Sequence, residues 1–231
     1  MQLQALLRQL ADFDTPLLAN TIGKIDPTPV DQWYLGGSIR SVTPSLGPTV
    51  GVAVLCEADT STPEGDNDLD GLYRQIDDIS RMDLPAMWVV KAVGSRPDHE
   101  CILGDGMAKM LQAAGCLGIV TDGGVRDVDG LLSTPFAAYC RGVVVHHCAI
   151  RVRPTTGPLE VGGITIEAGD VLHANKEGVI KIPASCREEL PRRAVAMRAF
   201  EHAAHIEARR TDITIDAKRD LIGRLAGEYG F

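Results

Sequence analysis

The middle of the chain alternates strand-like and helix-like segments, and this alternation constrains the possible fold more than any other feature. Residues 86–93 form an apolar segment typical of a strand, and residues 107–114 follow as a helix that ends at a glycine. Residues 117–121 predict a second short strand, and residues 128–132 begin another helical turn. Strand, loop and helix in repeated order predict an α/β architecture, with the functional loops at one edge of a sheet.

The flanking segments add strands on both sides of this pattern. Residues 50–56 form an apolar, β-branched run between turn residues, which predicts a buried strand, and residues 70–79 carry apolar side chains on one helical face. Residues 161–166, 170–174 and 179–182 predict short strands, because glycine-containing turns separate them. The segment before the C-terminal tail is therefore predicted to be rich in strands.

Helices are predicted at the N-terminus of the chain. Residues 2–12 alternate polar and apolar side chains at helical spacing and lack the basic segment and apolar core of a secretory signal. A second short helix runs to Ile22, with Thr15 as its predicted cap and Pro16 in its first turn. Because no export signal is recognisable, we expect the protein to stay in the cytoplasm.

The chain is predicted to form one α/β domain over residues 1–185, followed by a helical tail over residues 186–231. Ser185 and Glu188 have the spacing of a capping box at the start of the tail helix, and Pro191 marks an alternative start. Large apolar side chains are sparse on this tail. Their scarcity favours packing against a partner subunit or a domain flank over a place at the centre of a core.

The composition argues against several classes of partner. The formal net charge of −8 argues against nucleic acid, because phosphate binding requires clustered lysine and arginine. The apolar runs are far shorter than the roughly 20 residues that a transmembrane helix needs, so no membrane partner is expected. The six cysteines lack C-x-x-C spacing and are expected to stay reduced as packing residues.

Two histidine pairs are weaker candidates for metal ligands. His146 and His147 lie on a strand predicted over residues 142–150, so they are expected to point to opposite faces and not to chelate one metal together. One of them is a candidate for lining a cavity. His202 and His205 lie three residues apart on the predicted tail helix and form a rival zinc site without clear further ligands.

The chemically informative residues are Asp105 and the pair Arg126-Asp127, which a predicted helix and strand separate. This interval is expected to bring both loops to one end of a sheet. Two carboxylates suit a hard divalent cation such as Mg²⁺, with Asp127 as the candidate direct ligand. Arg126 presents a planar fork of donors to a carboxylate, and backbone N–H groups where residues 104–107 open a helix add a second anion-binding feature. Together they predict a site for a 2-oxo acid.

A purely structural interpretation of the same residues stays open. Asp105 would then only cap a helix, and Arg126 and Asp127 would form a local salt bridge in a glycine turn. Nucleotide binding is not supported, because the chain contains neither of the glycine-rich phosphate-binding motifs.

The motif around these residues resembles the signature of the RraA-like family. It consists of Gly104-Asp105, an interval of twenty residues, and Asp122-Gly123 with Val125-Arg126-Asp127. The family includes the class II pyruvate aldolases that act on 4-hydroxy-4-methyl-2-oxoglutarate and 4-carboxy-4-hydroxy-2-oxoadipate, and the resemblance extends over about residues 10–185. A non-catalytic branch, which resembles the regulator of ribonuclease E activity, lacks the aspartate after the arginine. The presence of Asp127 favours the metal-dependent branch.

The resemblance implies a role for each matching residue. Asp127 would ligate Mg²⁺ or Mn²⁺ directly, and Asp105 would act in catalysis through metal-bound water. Arg126 would bind the ketone and carboxylate of a small 2-oxo acid and take part in catalysis. The binding site would also include backbone donors, which belong to Gly104, Asp105, Gly106 and Met107.

The resemblance also implies an assembly. The family fold is a β/β/α swivelling-domain sandwich, here with a C-terminal helical tail, assembled as a homotrimer or homohexamer. A glutamate from the tail of a neighbouring subunit would reach the metal through water, with Glu201 as the best match and Glu207 as the second.

The function predicted from these observations is a divalent-metal-dependent lyase that cleaves a carbon–carbon bond of a 2-oxo acid through a pyruvate enolate. Aldolase and oxaloacetate decarboxylase activities both fit. A metal-dependent lyase or hydrolase acting on another oxo or hydroxy acid is one alternative. A non-catalytic protein-binding regulator is the other.

Overall fold

The computed structural model describes residues 3–231, so Gln2, the first residue of the predicted N-terminal helix, lies outside the described residues. The helices are α1 (Leu3–Leu10), α2 (Thr15–Ile25), α3 (Asp70–Ser80), α4 (Asp105–Ala113), α5 (Val128–Ser133), α6 (Leu190–Ala208) and α7 (Ile215–Tyr229). The strands are β1 (Arg40–Ser41), β2 (Thr49–Asp59), β3 (Ala86–Ala92), β4 (Cys101–Leu103), β5 (Cys116–Thr121), β6 (Gly124–Val125), β7 (Ala137–Cys140), β8 (Gly142–Val143), β9 (Arg151–Pro154), β10 (Leu159–Val161), β11 (Ile164–Ile166), β12 (Val171–Asn175) and β13 (Gly178–Ile182).

The main sheet has the strand order β1-β7-β5-β3-β2-β12-β13, and β9 also pairs with β2. Strands β2, β3, β5 and β7 run parallel, as the alternation of strands and helices predicts. The long strand β2 pairs with β12 near its start and with β9 near its end, both antiparallel. This α/β architecture confirms the predicted fold class.

The central strands are buried on both faces, which explains their almost continuous apolar sequence. In β3, Trp88 and Val90 pack with the helices α3, α4 and α5, whereas Met87 and Val89 face the layer that contains β10 and β11. Trp88 donates its indole N–H to Gln75 Oε1 at 2.5 Å, so the polar atom at the centre of this core is satisfied.

A second, smaller sheet carries the loops that matter for function. Its strands β4, β6 and β8 are parallel, with Leu103 opposite Val125 and Val125 opposite Val143. Each strand has only two or three residues. Such short segments show no periodic pattern, and the sequence analysis did not predict this sheet.

Two predicted strands are wrong in detail. Residues 161–166 form a hairpin, because Gly162 and Gly163 adopt φ values of 61° and 87° and turn the chain between β10 and β11. In the predicted strand over residues 142–150, only β8 is extended as a strand. The rest is a loop, so the argument that His146 and His147 point to opposite faces of a strand does not hold, and their rings lie 5.1 Å apart.

Three predicted helix caps are also wrong. Asp14, not Thr15, caps α2 by accepting a hydrogen bond from the backbone N–H of Leu17. Asp105 is the first residue of α4, and the cap position belongs to Gly104. Ser185 donates to Asp26 Oδ2 at 2.5 Å instead of capping a helix, and α6 begins at Leu190 with Pro191 in its first turn, at the alternative start.

The C-terminal helices cover one end of the main sheet. The start of α6 is buried against α1 and α2 through Leu190, Ala194 and Met197. Helix α7 lies within the predicted helical tail and packs on α6 through aromatic contacts such as Phe200 with Tyr229, and none of its residues is fully buried. In the part of the chain that the structure describes, no helix is long and apolar enough to cross a membrane.

Candidate active site

The candidate site lies where two parallel strands end side by side. Strand β4 leads through Gly104 into α4, and β6 leads through Arg126 and Asp127 into α5. The backbone N–H of Arg126 donates to the carbonyl of Leu103 at 2.8 Å, which fixes the two loops in register. The convergence predicted from the spacing is therefore present.

The two loops touch through the carboxylate of Asp127. Its Oδ2 atom lies 3.4 Å from Arg126 Nε and 3.4 Å from the backbone nitrogen of Asp105. A Cβ atom at Gly104 would lie 2.7 Å from the same Oδ2 atom and 3.0 Å from Arg126 Nε. The extended backbone of Gly104 is open to any residue, but a side chain here would displace the carboxylate of Asp127 or the guanidinium of Arg126.

Asp127 holds an uncommon backbone conformation. Its φ and ψ are 58° and 46°, in the left-handed region that aspartate and asparagine enter more easily than most other residues. This conformation costs roughly 1 kcal/mol and is maintained by the surrounding structure. It turns the chain sharply between β6 and α5, directly beside Arg126.

Asp105 is ionised and held by its own helix. Lys109 Nζ lies 2.6 Å from Asp105 Oδ2, one helical turn further along α4. The hydrogen bond from Lys109 lowers the pKa of the Asp105 carboxyl below its ordinary range. A Cβ at Gly130 would lie 2.5 Å from the Asp105 Cβ, so the first turn of α5 fixes this side chain from the other side.

Arg126 has an unused donor. Among residues 3–231, Arg126 Nε is one of the buried side-chain nitrogens without a hydrogen-bond partner. Its 3.4 Å separation from Asp127 Oδ2 is an ion-pair distance, but the geometry is not that of a hydrogen bond. Leaving such a donor unsatisfied is costly, which indicates that an acceptor from a ligand belongs beside it.

Asp105, Arg126 and Asp127 line one cavity of about 280 Å³. The other lining residues are Leu69, Leu72, Tyr73, Cys101, Ile102, Gly104, Gly106, Met107, Met110, His147 and Ile150. All candidate residues from the two loops are thus brought together. Asp105, Arg126 and Asp127 form a charged flank of the cavity. The opposite flank is formed mainly by apolar side chains, which include Leu72 of α3 with Met107 and Met110 of α4.

His147 lines this cavity, as the sequence analysis had considered for one of the two neighbouring histidines. Its Nδ1 lies 2.6 Å from the carbonyl oxygen of Cys148, and a carbonyl only accepts, so Nδ1 carries the hydrogen. The loop is anchored directly after His147: Cys148 N–H donates to the carbonyl of Thr60, and Ile150 N–H donates to Asn67 Oδ1.

Glu100 organises the loops behind the site, and the sequence analysis did not identify it. Its side chain is fully buried and accepts hydrogen bonds from the backbone and hydroxyl of Thr60 and from the backbone of Gly94. Thr60 in turn accepts from the backbone N–H of Cys101, the first residue of β4. The buried carboxylate therefore ties the loop that holds Cys148 to the strand that leads to Asp105.

The donor set suits a hard cation with few protein ligands. Within the described residues, no group of three or more histidine, cysteine, aspartate or glutamate side chains is placed to hold a metal ion, and this includes the rival pair His202 and His205. A closed zinc site needs such a group, whereas Mg²⁺ and Mn²⁺ accept one or two carboxylates and retain water. Asp127 and Asp105 fit the second arrangement.

The two tail glutamates lie elsewhere in the same copy of the chain. Glu201 accepts a hydrogen bond from Asn20 Nδ2 at 2.8 Å, and Glu207 pairs with Arg210 at 2.9 Å. Neither lines the cavity of Asp105, Arg126 and Asp127. A contribution from a neighbouring copy stays a prediction.

A larger cavity of about 470 Å³ lies on another side of the molecule, between α2 and β13. Its walls include Trp33, Tyr34 and Val179, and its charged members Lys24 and Glu177 are exposed. Trp33 is almost completely buried, and its indole nitrogen lacks a hydrogen-bond partner among the described residues.

Comparison with known families finds a match in the same part of the chain. The model of the RraA-like family, described as Aldolase/RraA, matches residues 85–181. This range contains β4, β6 and the loops that follow them. The resemblance to the RraA-like family is therefore confirmed over this segment.

Two related proteins match at the level of sequence. Protein DlpA of Legionella pneumophila is 33% identical over 87 residues, which cover 37% of this chain and 14% of that protein. A protein of Halalkalibacterium halodurans named "Putative 4-hydroxy-4-methyl-2-oxoglutarate aldolase" is 29% identical over 106 residues, which cover 44% of this chain and 49% of that protein. The chain thus spans about half or less of the length of these relatives.

A solved structure of an RraA protein has a similar fold. RraAS2 of Streptomyces coelicolor, described as an unusual member of the RNase ES inhibitor RraA protein family, has a TM-score of 0.68 at 19% identity and covers 87% of this chain and 96% of its own. The RraA-like fold is confirmed by this likeness. Proteins named as aldolases and proteins named as ribonuclease inhibitors both belong to this family.

Proposed function

We propose that the protein is a divalent-metal-dependent lyase that cleaves a carbon–carbon bond of a 2-oxo acid and releases pyruvate through its enolate. It would act as an aldolase, as an oxaloacetate decarboxylase or as both. The observation that supports this most is the cavity shared by Asp105, Arg126 and Asp127, in which Arg126 Nε has no partner within residues 3–231. An anionic substrate oxygen would satisfy this donor.

Each residue has a distinct task in the proposed site. Asp127 would hold Mg²⁺ or Mn²⁺ directly and Asp105 through water, and the cation would supply Lewis-acid polarisation of the ketone. Arg126 binds the carboxylate of the substrate and orients it. The backbone N–H groups of Gly106 and Met107, in the first turn of α4, add donors for the same oxygens. Lys109 forms an ion pair with the Asp105 carboxylate.

We also propose the assembly as a homotrimer or homohexamer, in which residues 186–231 pack at the subunit interface as a helical tail beyond the 1–185 domain. Glu201 of a neighbouring copy, or Glu207, would then approach the water around the cation. The hydrogen bond from Asn20 fixes Glu201 on the surface of its own copy. Such fixation would position it for a contact across an interface.

The experiment that tests this function measures pyruvate released from oxaloacetate and from 4-hydroxy-4-methyl-2-oxoglutarate, with Mg²⁺ or with EDTA. We expect release only with metal and a loss of about 10²–10³-fold in Asp127→Asn, because the direct ligand of the cation loses its charge. Asparagine tolerates the left-handed conformation of residue 127, so an unchanged melting curve serves as the folding control. Release that persists with EDTA and in Asp127→Asn would contradict the proposal. Metal-independent binding of a protein partner would then favour the regulator.

A further inference from the structure

His147 lines the candidate cavity together with Arg126, but it has no task in the proposed reaction so far. We infer, on the basis of the proposed function, that His147 is a further catalytic residue, which accepts the proton of the substrate's C4 hydroxyl during carbon–carbon bond cleavage. The hydrogen bond of its ring and the contacts that hold its loop support this role. These contacts lie within one copy of the chain, so they do not depend on what a neighbouring copy adds to the site.

The hydrogen bond of the ring determines which of its nitrogen atoms is free. His147 Nδ1 lies 2.6 Å from the carbonyl oxygen of Cys148, and a carbonyl oxygen cannot donate, so Nδ1 carries a hydrogen. In the neutral imidazole the lone pair then belongs to Nε2, on the side of the ring that points away from this carbonyl. A general base requires such a lone pair.

The ion pairs of the two carboxylates leave the ring free. The Asp105 carboxylate pairs with Lys109 at 2.6 Å, and the Asp127 carboxylate lies 3.4 Å from Arg126 Nε. His147 shares the cavity with both carboxylates, while its own hydrogen bond is made within its loop. The ring can therefore exchange a proton with a substrate that Arg126 binds.

The backbone is fixed before and after His147. Three residues before it, Val144 N–H donates to the carbonyl of Val125 at 2.9 Å, and Val125 directly precedes the arginine of the site. One residue after it, Cys148 N–H donates to the carbonyl of Thr60 at 2.7 Å. His147 is therefore held at a defined place relative to the guanidinium that would bind the substrate carboxylate.

Thr60 connects the loop of His147 to the second substrate-binding loop. Thr60 is fully buried, and its N–H and hydroxyl donate to the buried Glu100 carboxylate at 2.8 Å and 2.5 Å. Its hydroxyl oxygen also accepts from the N–H of Cys101 at 2.9 Å, where β4 begins. Strand β4 leads to the backbone donors of residues 104–107. One hydrogen-bonded network thus fixes the proposed base and these donors relative to each other.

Cleavage of a 4-hydroxy-2-oxo acid requires the removal of a proton. The C4 hydroxyl gives its proton to Nε2 of His147, its C–O bond becomes a carbonyl, and the C3–C4 bond breaks with its electron pair on C3. The protonated ring then returns the proton to C3, which becomes the methyl group of pyruvate, so the proton balance is zero. In oxaloacetate the corresponding bond breaks with loss of carbon dioxide, and no hydroxyl proton is removed. A base at C4 should therefore accelerate only the first reaction.

The test compares His147→Asn with the matched control His146→Asn in the presence of Mg²⁺. Asparagine keeps an N–H donor at the place of Nδ1 but supplies no base, and His146 is an exposed neighbour whose ring lies 5.1 Å away. In His147→Asn we expect kcat/KM for 4-hydroxy-4-methyl-2-oxoglutarate to fall by about 10²-fold through kcat, and oxaloacetate decarboxylation to change by less than about three-fold. His146→Asn should leave both activities unchanged, and melting curves should match the wild type.

A second measurement does not require turnover. Nitrogen-15 NMR of labelled histidine side chains, at mildly alkaline pH, should show a protonated Nδ1 and an unprotonated Nε2 for His147. The signals of this ring are assigned by their absence in His147→Asn. A hydrogen on Nε2 of the neutral ring would overturn the inference, because the free lone pair would then be on the wrong nitrogen.

The outcomes separate this role of His147 from the proposed function. Equal losses of both activities in His147→Asn, or a loss through KM alone, would indicate a structural role, and unchanged cleavage would remove the residue from the reaction. In each of these cases pyruvate release by the wild type would still support the lyase. Decarboxylation without cleavage in the wild type would also overturn the role, whereas absence of both would contradict the lyase as well.

Discussion

Two of the cavities, the one between α2 and β13 and the one at the ends of β4 and β6, differ in size and in the chemistry of their walls. The larger one, about 470 Å³, has mostly apolar walls and an unpaired neutral donor on Trp33. The smaller one, about 280 Å³, brings two carboxylates and a guanidinium together and contains the unpaired donor of Arg126. Cavity volume alone would select the larger cavity as the candidate active site, whereas the charged side chains select the smaller one. The arrangement of charge is the more informative criterion.

The walls of the two cavities differ because the cavities lie beside different strands of the fold. The smaller cavity opens at the carboxyl ends of the parallel strands β4 and β6, where loops bring distant residues together. The larger cavity lies beside β13, which ends the antiparallel side of the main sheet. Its walls come mainly from the helix α2 and from β13. We therefore expect changes at the smaller cavity to affect turnover and changes around the larger one to affect folding.

The largest expected effect is that of Arg126→Lys. Lysine keeps the charge but lacks the planar fork of donors, so we expect pyruvate release to fall by about 10²-fold or more in kcat/KM. The matched control is Arg141→Lys, because Arg141 forms an ion pair with Asp98 at 3.3 Å outside the cavity. Equal rates for Arg126→Lys and the wild type would remove the proposed role of the guanidinium.

The next effect concerns the fully buried His173. Its Nε2 donates to the carbonyl of Leu10 at 3.2 Å, so its Nδ1 accepts from the hydroxyl of Thr15, a residue of the larger cavity, at 3.0 Å. Burial lowers the pKa of His173 to about 4 from its ordinary value of 6.5. The unfolded chain therefore binds a proton more readily than the folded protein does. The contribution of His173 to the free energy of unfolding is fully present above pH 6.5 and is lost as the pH falls towards 4. This loss amounts to about 2 kcal/mol between pH 7 and pH 5.

Urea unfolding at the two pH values measures this loss. In His173→Gln the loss should shrink by about the same 2 kcal/mol, because the titrating group is gone. Pyruvate release at neutral pH should change little, provided that the variant is folded. An identical pH dependence in both proteins would show that another group controls acid stability.

The sequence was sufficient to predict the convergence of Asp105 with Arg126 and Asp127. The reason is physical: a helix and a strand between the two loops bring them to neighbouring strand ends, whatever the local details. The almost continuous apolar segments of β2, β3 and β5 were likewise readable. The small sheet of β4, β6 and β8 was not, because strands of two or three residues have no period.

The residues around the site were harder to predict because long-range hydrogen bonds place them. The loop that carries His147 leaves the sheet because Thr60 and Asn67 hold its backbone, and both are far away in the sequence. Glu100 is fully buried because the Thr60 and Gly94 loops fold over it. The only local sign of this burial in the sequence was that Glu100 directly precedes the apolar segment Cys101–Leu103.

The smallest expected effect is that of Trp33→Phe in the larger cavity. The indole N–H has no partner among the described residues, so its removal eliminates an unsatisfied donor, while phenylalanine keeps the edge contact that Trp33 makes with Tyr34 at 5.8 Å. We expect stability in urea to change by less than about 1 kcal/mol, and pyruvate release to stay unchanged. If Trp33→Phe instead lowered kcat/KM as strongly as Arg126→Lys, both cavities would serve one reaction, and the separation between a catalytic and a structural region would be wrong.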